Sequence, residues 1–243
     1  MNLLRVENVS MRFRGVLALD QVSFAVKTGE IVGLMGANGA GKTTMFSLIA
    51  GNIRPTGGAI FLDDLRIDGL RPDRISRKGV ARTFQIVRPF GDMTVLENVM
   101  LGAFYGRRRE RWEAAAEASA RQILERLGLE RRADHLAREL TLAGRKRLEI
   151  ARSLATEPRL LMLDEVLAGL TPAEVTEAVD IIRSLHGAGG LSIIMIEHVT
   201  RALMGLTHRI VVLDHGQKIT EGSPAEVARD PRTVAAYLGT VPP

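Results

Sequence analysis

Residues 31–50 settle the architecture before anything else is read. Ile31-Val32-Gly33-Leu34-Met35 is a continuous apolar run. It passes directly into Gly36-Ala37-Asn38-Gly39-Ala40-Gly41-Lys42-Thr43, and a helical stretch follows from about Lys42 to Ala50. A buried strand, a glycine-rich loop and a helix in that order open an α/β unit. Further apolar runs at 160–163, 191–196 and 210–213 are separated by helical segments, the pattern of a buried parallel sheet. Ahead of them, residues 3–9 and 21–26 alternate apolar and polar, which predicts half-buried antiparallel strands near the N-terminus. Between about 87 and 156 the pattern is almost wholly helical, so the middle third reads as a helical subdomain inserted into an α/β core. Asp214-His215-Gly216 between apolar runs predicts a late hairpin.

Helix starts are marked by chemistry that supplies the orphan backbone donors. Thr94-Val95-Leu96-Glu97 fits a capping box. Thr171-Pro172-Ala173-Glu174 and Ser223-Pro224-Ala225-Glu226 repeat it with Pro at the first helical position, where no donor is lost.

The loop at 36–43 has two glycines four residues apart followed by Lys and Thr, the P-loop pattern. Its physical requirement is the convergence of many backbone N–H groups on phosphate oxygens, and glycine permits both the dihedrals and the close approach. The amides of Gly36, Ala37, Asn38, Gly39, Ala40, Gly41, Lys42, Thr43 and Thr44 are the candidate cradle. Lys42 adds a point charge at the terminal phosphates, Thr43 offers its hydroxyl to Mg2+, and the helix N-terminus contributes partial positive charge. Leu160-Leu161-Met162-Leu163-Asp164-Glu165 ends a buried strand in two adjacent carboxylates, where ligands bind in open α/β sheets. Asp164 suits Mg2+ binding, directly or through water, and Glu165 can polarise a water for attack on a γ-phosphate.

Taken together, these motifs resemble the ATP-binding cassette (ABC) family of ATPases over the whole chain, and most of all the ATPase subunits of branched-chain amino acid importers. Ile31-Val32-Gly33-Leu34-Met35-Gly36, Arg82-Thr83-Phe84-Gln85, Leu148-Glu149-Ile150-Ala151-Arg152 and Arg209-Ile210-Val211-Val212-Leu213-Asp214 carry the likeness. The resemblance implies a P-loop cassette with a mostly parallel, RecA-like core sheet, an N-terminal antiparallel β part and an inserted helical subdomain. It implies one ABC ATPase domain over 1–243, with 1–86 and 157–243 as the nucleotide-binding core and 87–156 as the helical subdomain. Phe13 falls where the family stacks an aromatic on adenine. Gln85 matches the glutamine that touches Mg2+ and the attacking water, and His198 matches the histidine that contacts the γ-phosphate. Glu165, His198 and Gln85 are thus the expected catalytic set, with Thr43, Gln85 and Asp164 at the metal.

The family's signature loop, usually Leu-Ser-Gly-Gly-Gln, here reads Leu140-Thr141-Leu142-Ala143-Gly144. Thr141 keeps a hydroxyl, Ala143 replaces the second Gly and Gly144 replaces Gln. In the family this loop caps the γ-phosphate of ATP held by the opposite subunit, so Thr141, Ala143 and Gly144 are candidate nucleotide contacts. The Ala143 methyl is expected to hinder backbone approach there. Val166 stands where the family commonly has Pro, and Thr171 where it has Asp or Asn.

The same likeness implies ATP and Mg2+ as cofactors and a second ATPase subunit, identical or related. It also implies separate permease subunits, an indirectly associated solute-binding protein and a peripheral position on the cytoplasmic face of the inner membrane. Branched-chain amino acids lead as the solute, with other amino acids, amides or urea open.

Composition limits the alternatives. Zero cysteines exclude a disulfide framework, an iron–sulfur cluster and cysteine nucleophilic catalysis, and suit a reducing compartment. No apolar run approaches the ~20 residues that cross a bilayer, and residues 1–7 lack the pattern of a secretory signal. The formal charge of +5 is modest for a nucleic-acid binder. Much of it comes from Arg107-Arg108-Arg109-Glu110-Arg111, which reads as a solvated helix entrance or a contact for anionic lipid. An ABC-type ATPase acting on nucleic acid usually carries a coiled-coil insertion, zinc cysteines or a second cassette, and none is present. A GTPase would need an Asn-Lys-x-Asp motif, which is absent. A cassette for lipid or polysaccharide export is the alternative that the local phrases disfavour.

Overall fold

The backbone of this computed structural model is built from β1 (Asn2–Phe13), β2 (Val16–Lys27), β3 (Ile31–Met35), α1 (Lys42–Ile49), β4 (Gly57–Leu62), β5 (Leu65–Arg66), α2 (Pro72–Arg77) and β6 (Val80–Arg82). It continues through α3 (Val95–Tyr105), α4 (Glu113–Arg126), α5 (Leu142–Ala155), β7 (Leu160–Asp164), α6 (Pro172–Gly187), β8 (Ser192–Ile196) and α7 (Thr200–Leu206). The last elements are β9 (Arg209–Asp214), β10 (Gln217–Gly222), α8 (Pro224–Arg229) and α9 (Pro231–Leu238). The structure describes residues 1–84, 89–107, 112–187 and 189–238.

Two compact units divide the chain, one of residues 1–72 with 192–243 and one of residues 73–191. The boundaries expected from sequence for the helical subdomain, 87 and 156, both fall inside the second unit.

In the first unit, an antiparallel sheet runs in the order β2-β1-β4-β5. β1 and β2 extend well beyond the alternating segments 3–9 and 21–26, because bulges break the period. Asn8 and Gln21 both take φ of 47°, and the unpaired amides there are met by hydroxyls, Asn8 N–H by Ser23 Oγ at 2.7 Å and Gln21 N–H by Ser10 Oγ at 3.0 Å. Each bulge shifts the apolar set by one residue, so alternation alone cannot follow the strand across it. β4 has no sequence expectation behind it: Gly57-Gly58 opens it and carries no side-chain pattern.

The same unit holds β10-β9-β3-β8, with β3 parallel to both β8 and β9. Every residue of β3 and of β8 is buried, as expected of strands covered on both faces. β9 and β10 form the predicted hairpin. His215 and Gly216 both have positive φ, 46° and 81°, the dihedral signs of a type I′ turn that suits strand twist.

In the second unit β6 pairs with β7 in parallel, again fully buried at β7. The helices α3 to α5 follow where sequence predicts helix. Thr94 caps α3 with both bonds of the box formed, Thr94 Oγ1 accepting from Glu97 N–H at 3.1 Å and Glu97 Oε2 from Thr94 N–H at 2.7 Å. Ser223 does the same for α8, and Thr171 and Glu174 form the reciprocal pair at α6. Each such cap is worth about 1 kcal/mol.

Candidate functional site: a phosphate loop and a pair of strand-end carboxylates

In the first unit the loop after β3 is pressed against its neighbours. A Cβ on Gly36 would overlap the Leu213 carbonyl oxygen and lie 2.9 Å from the Ala40 methyl. Gly41 has φ of +101°, and a Cβ there would lie 2.8 Å from the Ala18 carbonyl oxygen. Only glycine satisfies the dihedral and the approach together. Gly216 N–H, from the β9–β10 turn, donates to the Ala40 carbonyl at 3.2 Å. Strands β2 and β9 therefore brace the loop from outside.

Inside the loop lies Lys42. It is 6% exposed, and its Nζ donates to the carbonyls of Gly36 at 2.6 Å and Ala37 at 2.9 Å. The chain is thereby closed around an ammonium group. Helix α1 makes its first bond from Met45 N–H to the Gly41 carbonyl at 2.9 Å, so the amides of its first turn have no acceptor within the helix. That turn carries no acidic side chain, which keeps the helix end electropositive. Asn38, Gly39 and Thr43 are exposed, with Thr44 half-buried. This arrangement accepts a multiply charged anion: amides, one cation and a hydroxyl on one short arc.

His198 follows β8 and is exposed, just after the buried Glu197. Because β3 and β8 are parallel partners, Gly33 opposite Met195, their C-terminal ends lie on one sheet edge. The loop that begins at Gly36 and His198 therefore leave that edge side by side. Phe13 ends β1 and pairs with Val16 across the hairpin, and both are exposed.

In the second unit Asp164 ends β7 almost fully buried. Its backbone N–H donates to Thr83 Oγ1 at 3.0 Å, and its Oδ2 accepts from Arg82 Nη2 at 2.7 Å. Its Oδ1 is buried with no hydrogen-bond partner. Leaving a carboxylate oxygen dry and unpaired costs free energy, and a cation or its bound water would relieve it. The donor chemistry fits Mg2+. Mg2+ takes one or two carboxylates and completes its shell from phosphate oxygens and water, and among the described residues no three or more His, Cys, Asp or Glu side chains cluster. Glu165 is half-buried and holds φ of +51°. Its carbonyl accepts from Lys146 Nζ at 2.8 Å and from Ala168 N–H at 3.3 Å.

Glu149 of α5, which sequence reasoning did not single out, is buried at 8% exposure. Its carboxylate accepts the backbone N–H of Phe84. Burial raises its pKa to about 7, against the pull of the Phe84 N–H, Arg152 and Lys146, with Asp164 adding to the rise. The signal available in sequence was the spacing of Lys146 and Glu149, three residues apart and so on one helix face. Gln85 lies outside the described residues.

Thr141 caps α5, its Oγ1 accepting from Gly144 N–H at 3.2 Å. Ala143 is 7% exposed, so its methyl is packed inward, and Leu142, 49% exposed, stands at the tip. Helical geometry from Leu142 onward sets this, since consecutive residues point about 100° apart. A Cβ on Gly144 would lie 3.2 Å from Leu140 Cβ, which matches a small residue there.

Residues 19–168 match the family model for the ABC transporter, and residues 217–241 match that of the branched-chain amino acid ATP-binding cassette transporter. The chain is 41% identical, over 98% of both chains, to the high-affinity branched-chain amino acid transport ATP-binding protein LivG of Escherichia coli (strain K12). It is 38% identical, again over 98% of both, to BraF, the corresponding protein of Pseudomonas aeruginosa. Among solved structures, the ADP conformation of an ATP-binding cassette of an ABC transporter superposes with a TM-score of 0.88 at 32% identity, covering 98% of this chain and 99% of that one. Motif, cradle and kinship agree: the chain belongs to the ATP-binding cassette family of ABC transporters and is a transporter ATPase.

Proposed function

We propose that this chain is the ATP-hydrolysing subunit of an importer for branched-chain amino acids or closely related small solutes. It would work as a pair of ATPase subunits on the cytoplasmic face of the membrane and drive separate permease subunits served by a solute-binding protein. The observation that carries the nucleotide reading is the loop closed around Lys42 at the N-terminus of α1. For the solute, the support is the C-terminal match at 217–241 and the kinship with LivG and BraF. Among the described residues no helix is long and apolar enough to cross a membrane, so translocation falls to other subunits.

In this reading the cradle at 36–44 binds the phosphate tail, and Lys42 exchanges its carbonyl bonds for the terminal phosphates. Phe13 stacks on adenine. Thr43, Asp164 and Gln85 are the residues that would hold Mg2+. That ion supplies charge neutralisation at the β- and γ-oxygens. Glu165 orients and deprotonates the attacking water, and His198 meets the γ-phosphate. Thr141, Ala143 and Gly144 cap the nucleotide of the opposite subunit, so binding favours the closed pair and hydrolysis releases it; the differential affinity of ATP for the closed state is the source of the bias. The segment 87–156 acts as the helical subdomain that carries closure to the permease, with 1–86 and 157–243 as the nucleotide core.

The test is reconstitution in liposomes with the cognate permease and solute receptor. ATP-dependent accumulation of labelled leucine, with hydrolysis raised by the loaded receptor and indifferent to DNA or ribosomes, is expected. Hydrolysis stimulated only by a different permease class, such as a lipid or polysaccharide exporter, would overturn the solute assignment.

A further inference from the structure

Helix α5 begins at the Thr141 loop, and five and eight residues further on it carries two charged residues that are almost wholly buried. Lys146 is 6% exposed and Glu149 8% exposed. They lie on one face and act on two different strand ends. Lys146 Nζ donates to the Glu165 carbonyl at 2.8 Å, and Glu149 accepts the amide of Phe84, two residues past the end of β6. Beneath them β6 and β7 are already tied, Thr83 N–H to the Met162 carbonyl at 2.9 Å and Arg82 to Asp164 at 2.7 Å.

The backbone at Glu165 explains why such a contact is needed. A non-glycine residue at φ of +51° sits in a sparsely populated region and stays there only when its surroundings over-determine it. A cation fixed on the Glu165 carbonyl holds the peptide plane that follows and so limits the ψ open to Glu165, which steadies the backbone from which the carboxylate projects. A buried ammonium on a main-chain oxygen is an expensive way to hold a helix in place. It is an effective way to hold one peptide.

We propose that Lys146 and Glu149 are positioning residues, through which the helix that starts at the Thr141 loop sets the backbone at Glu165 and at Phe84. The proposal rests on the function above in taking Glu165 as the catalytic carboxylate and the Thr141 loop as the cap on the partner's nucleotide. Thr141 and Glu149 are separated by eight residues, about 12 Å of rigid helix. A shift of the loop on the partner's nucleotide would therefore be felt at this chain's own hydrolytic residue.

The test uses two pairs of variants of the full chain. Lys146→Met removes the donor and keeps the stem, and Lys146→Arg restores a donor. Glu149→Ala removes the acceptor, and Glu149→Gln keeps one. Lys146→Met is expected to lower kcat for ATP about tenfold or more, with KM within about twofold, and Lys146→Arg to recover part of the loss. Amide hydrogen exchange, read on the same proteins, is expected to quicken about tenfold at Ala168 in Lys146→Met and at Phe84 in Glu149→Ala, and to return toward wild type in Lys146→Arg and Glu149→Gln. Unchanged kcat in Lys146→Met, or a loss shared equally by Arg and Met, overturns the positioning role. If wild type itself fails to hydrolyse ATP, the functional reading falls, and the exchange rates at Ala168 and Phe84 still decide whether these side chains hold those peptides.

Discussion

Arg82 holds one oxygen of Asp164 and leaves the other alone: Nη2 lies 2.7 Å from Oδ2, while Oδ1 is buried with no hydrogen-bond partner. Both side chains are nearly dry, at 9% and 2% exposure. The arrangement aims the carboxylate without using up its ligand capacity. Arg82→Met would leave a buried charge uncompensated, and is expected to destabilise folding by about 3 kcal/mol, measured by urea denaturation. A variant as stable as wild type would show that the pair does not sustain Asp164.

Glu165→Gln preserves shape and removes the base. ATP binding should persist while turnover falls by about 10²–10⁴-fold, and the closed pair should accumulate in gel filtration with MgATP. Lys42→Ala, by contrast, loses the charge that both closes the loop and meets phosphate, and should fail to retain ATP in equilibrium dialysis. Full ATP affinity in that variant would remove the loop at 36–44 from the binding site.

At Gly41 the prediction is conformational. A methyl added at φ of +101° would crowd the Ala18 carbonyl, so Gly41→Ala should lower the melting temperature, at a cost of about 1–3 kcal/mol, and abolish nucleotide binding by displacing the loop. Ala at Gly39, where a Cβ meets nothing within 4 Å, should avoid collision and carry only the backbone strain of its φ of +83°.

Glu149 gives a pH dependence of defined sign. Its pKa rises from the ordinary 4.5 to about 7 on burial. Between those values the folded chain holds a proton that the unfolded chain has lost, so stability falls as pH rises through that window, and the cost is complete above it. Glu149→Gln has nothing to titrate. Relative to wild type it should gain on the order of 2 kcal/mol between pH 5 and pH 8 in chemical denaturation; an equal difference at both pH values would contradict the buried-carboxyl origin.

Much of this molecule is legible residue by residue. The strand–loop–helix at 31–49, the hairpin at His215 and Gly216 and the caps at Thr94, Thr171 and Ser223 rest on interactions a few residues apart. For these, periodicity and dihedral preference are sufficient signals. β4 escaped because its glycines carry no pattern, and the lengths of β1 and β2 escaped because bulges at Asn8 and Gln21 reset the alternation.

That a glycine-rich loop caps a buried strand and that two acids end another follows from residue type and spacing within 31–43 and 160–165. Tertiary structure alone decided which groups those acids answer to. Arg82 meets Asp164 across 82 residues, Glu149 meets Phe84 across 65 and Lys146 meets Glu165 across 19. No period along the chain encodes such pairs. They arise because packing β6, β7 and α5 together removes water, and a charge without water must take whatever partner the fold brings within reach.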